Sequence, residues 1–116
     1  MMTLKEFYSK IDGDYDGAMK RLRSEKLVSK FVLKFLEDTN MSNLRSALAQ
    51  GNQDVAFRAA HTLKGLCLNI GFAKLGDSTS RLTEALRAEI TGEALSLMEQ
   101  VEADYRETLQ FIRELC

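Results

Sequence analysis

"NQDVAFRAAHTLKGLCLNIG", residues 52–71, is the stretch that decides the fold. Asn52 is a residue type that caps helix starts, Asp54 follows where a negative charge suits the helix dipole, and Gly71 is the type that ends a helix. Between them the spacing predicts about five turns of helix at 3.6 residues per turn. With Leu63 at the centre of the inner face and about 100° per residue, Ala56, Ala59, Ala60, Leu66, Cys67 and Ile70 fall within about 60° of it. That is a continuous apolar face, which other helices must cover. Cys67 reads as a small buried apolar side chain on this face.

His61, the chain's one histidine, lies on the other side, about 160° from Leu63. Asp54, Arg58 and Gly65 share that outer direction, and Lys64 flanks it at about 100°. A histidine packed into the core is therefore not what the periodicity predicts. Arg58 and Lys64, three residues before and after His61, are placed to bracket an anion carried by the imidazole. Gly65 leaves the ring unshielded at a helix-propensity cost of roughly 1 kcal/mol relative to Ala. Phe57 and Leu68, about 120° and 140° from the core centre, put apolar surface beside the histidine, as a docking site would.

Outward from this helix the pattern stays helical. "DYDGAMKRLRSEKLVSKFVLKFLED" is helical with a break near Ser24, and "MSNLRSALAQGN" predicts a short helix with Ser42 as its N-cap and Gly51 at its end. After Gly71, Leu75, Leu82 and Leu86 make an apolar stripe ending near Ile90. Thr91 then caps a last helix carrying Ala94, Met98, Val101, Tyr105, Ile112 and Leu115 on one face. No stretch alternates with period two long enough to form a strand. The reading is all-α: an antiparallel, up-down-up-down four-helix bundle over residues 25–115, its fourth helix drawn from residues 25–50. Short additional helices over 1–24 precede it in a single domain spanning 1–116.

Composition narrows the function. Of 116 residues, 45% are hydrophobic and 28% charged, with a net charge of −1, the profile of an ordinary globular domain. Sixteen Lys and Arg stand against 17 Asp and Glu, so nucleic acid is not an expected partner. The mixed charges of "KRLRSEK", residues 20–26, read as solvated surface. The start "MMTLKEFYSK" lacks a signal peptide's apolar run, and no stretch nears the roughly 20 apolar residues of a membrane span. A cytoplasmic protein without membrane attachment is expected. Cys67 and the terminal Cys116 make no disulfide framework. One histidine and two distant cysteines make a poor zinc site, no nucleophile or orienting acid accompanies His61, and there is no glycine-rich phosphate loop. What remains is nucleophilic chemistry toward phosphorus, since a neutral imidazole offers a nitrogen lone pair near neutral pH. Lys64 and Arg58 would offset the negative charge of the phosphoryl group.

"AHTLKGLCLNIG" resembles the signature of histidine-containing phosphotransfer (HPt) domains, a His-x-Leu-Lys-Gly core in a longer helix with a further Gly downstream. His61, Leu63, Lys64, Gly65 and Gly71 match it, and the resemblance extends over residues 15–115. Leu66 and Cys67 depart from it, because small residues such as Ser or Ala are common there. The resemblance implies a free-standing phosphorelay intermediate without kinase activity of its own. His61 would take a phosphoryl group from the phospho-aspartate of one receiver domain, in a response regulator or hybrid histidine kinase, and pass it to the aspartate of another. Lys64 would stabilise the phosphoryl charge and Gly65 permit close approach, with Arg58, Phe57 and Leu68 on the docking surface. A polar residue of the following helix often lies beside the histidine in this family, which makes Thr83 the candidate. No cofactor or metal of its own is implied, Mg2+ being expected on the receiver, and a monomer is expected. The alternatives are a docking module that binds receivers without turning phosphate over, and the phosphotransfer portion of a chemotaxis-type kinase.

Overall fold

A computed structural model of the chain describes residues 2–115; Met1 and Cys116, the second cysteine, lie outside the described residues. Seven α-helices account for the described architecture: α1 (Leu4–Lys10), α2 (Tyr15–Leu22), α3 (Glu25–Lys34), α4 (Asn40–Ala49), α5 (Gln53–Asn69), α6 (Ala73–Ala85) and α7 (Gly92–Leu115), with one 3-10 turn, Phe35–Glu37, between α3 and α4. Their boundaries follow local chemistry. Thr3 and Glu6 form a reciprocal capping box on α1, Asp14 caps α2, Ser24 caps α3 and Thr91 caps α7 through the Ala94 N–H. Ser24 is thus both the expected break and the start of a new helix.

The start of α4 corrects the sequence reading. Ser42 lies inside the helix, which begins two residues earlier at Asn40. Thr39, at the capping position, contributes no side-chain bond. Asp38 does that work, accepting from the Asn40 backbone N–H at 2.9 Å and from its side-chain amide at 2.8 Å. The stripe expected to run near Ile90 also stops earlier, since α6 ends at Ala85. Gln53, at the start of α5, holds that end by donating to the carbonyls of Leu86 and Arg87 at 2.6 and 3.0 Å.

α4 packs along α5, α5 along α6 and α6 along α7, joined by short turns, so neighbouring helices run antiparallel. Arg45 of α4 closes the ring with a two-pronged bond to Glu102 of α7 at 2.8 and 2.7 Å, its guanidinium 5.4 Å from the Tyr105 ring centre. The residues 25–50 are divided between α3 and α4, of which α4 supplies the fourth bundle helix. α7, about 36 Å long at 1.5 Å per residue, runs nearly the length of a molecule measuring 41 × 24 × 21 Å.

The N-terminal helices join the same buried cluster. Phe7, Tyr8, Phe35 and Phe72 meet edge to face or tilted, with centroids 5.1–6.2 Å apart where they touch. Their polar contacts converge on the C-terminal end of α5. The Tyr8 hydroxyl donates to the Ile70 carbonyl, Arg21 donates to the carbonyls of Leu68 and Asn69, and the Asp14 N–H donates to Gly71. These satisfy acceptors that a helix end leaves without partners.

Gly71 is confined twice. Its φ is +77°, and a Cβ there would stand 2.5 Å from the Asp14 carbonyl oxygen. Gly71→Ala is therefore expected to destabilise the fold by about 2–4 kcal/mol, combining left-handed strain with overpacking. A lowered urea midpoint at unchanged slope is the check.

Candidate functional site

α5 presents the site, and its inner face is mostly as the helical count predicts. Asn52 caps it through the Val55 N–H at 3.2 Å, and Ala56, Ala59, Ala60, Leu63, Cys67 and Ile70 are buried. Burial pushes the Cys67 thiol well above its usual range, so it stays protonated and packs as an apolar group. Leu66 is the exception: expected inside, it is 37% exposed. It lies on the flank of the face and lines a surface groove with Phe31, Lys34 and Asn69.

His61 is exposed and faces away from the bundle, with the exposed Arg58 and Gly65 on the same side. A Cβ placed on Gly65 would find no atom within 4 Å. Half-buried Lys64 takes part in no ion pair among the described residues. Arg58 differs from the expected free bracket, being turned back to Asp54 at 2.7 Å. An exposed i, i+4 pair of this kind is worth at most about 1 kcal/mol. Leu68 is 45% exposed on the same helix. Phe57 is half-buried, packed on the core, its ring centre 5.9 Å from that of His61 at a 43° tilt.

Thr83 is a correction. It is fully buried, and its hydroxyl donates to the Thr79 carbonyl at 2.7 Å, so it offers nothing to the surface at His61. Counted from Leu75 at 100° per residue, Thr83 is only about 80° away, on the margin of α6's own apolar stripe. That count was the available signal.

Two residues at the end of α6 stand where Thr83 was expected. The Arg87 guanidinium lies 5.3 Å from the Phe57 ring centre, and Phe57, Arg58, His61, Thr62 and Arg87 line one shallow depression. Arg87 also grips Glu84, with Nε donating to Oε1 at 2.9 Å and Nη2 to Oε2 at 3.0 Å. That bond holds the Glu84 carboxyl below its usual range, and the positive charges of Arg87 and Lys64 act in the same direction. A charged residue just past a helix gives no sign in sequence that it reaches a different helix.

The outward histidine, its lysine neighbour and the uncovered glycine stand midway along α5, on the outer surface of a four-helix bundle. The model of the Hpt domain family matches residues 31–114, which include this whole site, and the chain belongs to that family. Its members carry out histidine phosphotransfer in phosphorelay signalling. α1, α2 and the first part of α3 precede the matched span. No curated protein and no solved structure matches the chain. No helix among the described residues is long and apolar enough to cross a membrane.

Proposed function

We propose that His61 is the phospho-acceptor of a relay, receiving a phosphoryl group from a receiver-domain phospho-aspartate and passing it to the aspartate of a second receiver. The observation that carries this reading is the exposure of His61 between Lys64, free of ion pairs among the described residues, and the open backbone at Gly65. In the first step the Nε2 lone pair forms an N–P bond while the P–O bond to the aspartate breaks, and the carboxylate leaves with the bonding pair. The ring keeps its Nδ1 proton and gains a positive charge. In the second step a carboxylate oxygen of the other receiver takes the phosphoryl group, and the N–P electron pair returns to Nε2. Both steps depend on alignment and charge neutralisation. Lys64 supplies a cation at the acceptor, while the acidic residues and Mg2+ of the reaction belong to the receiver. Gly65 lets the receiver backbone approach, and Phe57, Leu68 and Arg58 border the docking surface. The protein works as a cytoplasmic monomer in this scheme.

The test is phosphoryl transfer from a panel of phosphorylated receiver domains to the purified chain. Label that is acid-labile and alkali-stable is expected with at least one receiver. A folded chain that binds a receiver and takes no label from any of them would overturn the relay and assign a docking module instead.

A further inference from the structure

The relay reading accounts for α5 but leaves the Glu84–Arg87 pair of α6 without a role. Three contacts connect that pair to the acceptor: Arg87 to Glu84, Arg87 to the Phe57 ring, and the Phe57 ring to His61. The guanidinium thus rests on the ring that the imidazole also adjoins, and both line one depression. Its only ion-pair partner among the described residues is the exposed Glu84 carboxylate, three residues away on the same chain segment. A phosphoryl group on His61 would place close to two negative charges in the same depression. Arginine binds phosphate oxygens in the same two-pronged manner in which it binds a carboxylate, and more strongly as the acceptor charge rises. An exposed Arg–Glu pair yields little free energy to hold it against such a competitor.

We propose that Arg87 is a phosphoryl-binding residue stored on Glu84, and that phosphorylation of His61 moves its guanidinium from the Glu84 carboxylate to the phosphoryl oxygens. Glu84 is the positioning residue of this exchange. It keeps Arg87 beside Phe57 while His61 is free, and its carboxylate, within electrostatic reach of Lys64 and His61, opposes the phosphoryl charge once that is present. Four charged groups then surround the acceptor: Lys64 and Arg58 from α5, Glu84 and Arg87 from the end of α6. No bond other than the hydrogen bonds of Arg87 changes in the exchange. The inference rests on His61 being the phospho-acceptor.

Phosphoramidate, a small phosphoryl donor that needs no receiver, separates the two ideas. The whole chain and its Arg87→Ala, Arg87→Lys and Glu84→Gln variants are loaded with it, and the phosphohistidine ring is titrated by phosphorus NMR. Removing the cation is expected to raise the titration midpoint by about half a pH unit, and removing the carboxylate to lower it by a similar amount, since each change acts on the ring's positive charge with opposite sign. Arg87→Lys, which keeps the charge, should stay near the wild-type midpoint. In the wild type the Arg87 Nε–H resonance should move on loading. Equal midpoints in all four proteins, or an Arg87 resonance indifferent to loading, would overturn the exchange while leaving His61 as acceptor. A wild-type chain that phosphoramidate cannot load at His61 would remove the acceptor and the exchange with it.

Discussion

His61→Gln is expected to take no label from any phosphorylated receiver while unfolding within about 0.5 kcal/mol of the wild type. The two halves of that expectation come from one fact. His61 is exposed and makes no hydrogen bond or ion pair among the described residues, and its ring lies beside that of Phe57. Gln suits a helix interior slightly better than His, so the substitution has nothing structural to break. An amide nitrogen has no lone pair available for phosphorus, so the chemistry is lost outright. Label persisting on His61→Gln would sink the assignment. A cooperative unfolding curve for the same sample shows that lost label reflects lost chemistry and not lost fold.

Gly65 should separate stability from transfer in the opposite direction. A Cβ at Gly65 meets open space, and replacing an exposed mid-helix Gly by Ala stabilises a helix by about 1 kcal/mol. The bare backbone is therefore not required by the fold of the free chain. If it exists so that a receiver can approach His61, Gly65→Ala will raise the urea midpoint and slow transfer severalfold. Gly65→Gln, also the better helix former, will slow it by about 100-fold, the scale of a misplacement near 1 Å between reacting groups. Loading by phosphoramidate should change far less in both, because that donor has no backbone to accommodate. Unimpaired transfer from receivers to Gly65→Gln would show that the surface at residue 65 lies outside the contact. A fall in phosphoramidate loading as steep as the fall in receiver transfer would place the defect in the imidazole itself.

Several outcomes were legible in the sequence because they depend on one helix at a time. The 3.6-residue period of residues 54–70 separated Ala56, Ala60, Leu63 and Cys67 from His61, and burial agrees residue by residue. Asn52, Gly51 and Thr91 act locally, and each is found capping or ending the helix expected of it. Ser42 failed because two nearby polar side chains competed for one helix start and Asp38, two residues before the first helical residue, reached its N–H. Leu66 failed because an angle on a wheel says which way a side chain points and nothing about whether a neighbour stands there.

His61 facing outward, with Lys64 and Gly65 around it on a helix whose other face is apolar, was determined by the sequence alone, since a regular helix of known period leaves one rotational solution. The tertiary structure decided what surrounds that face. Thr83 turns into the core, and Arg87 crosses to Phe57 with Glu84 in its grip. Each of these depends on how α5 and α6 are set against one another, which is fixed by packing and by Gln53 holding the end of α6, contacts between residues more than 30 positions apart. Periodicity carries no information at that separation, because it describes the faces of each helix and not the distance and rotation at which two helices meet.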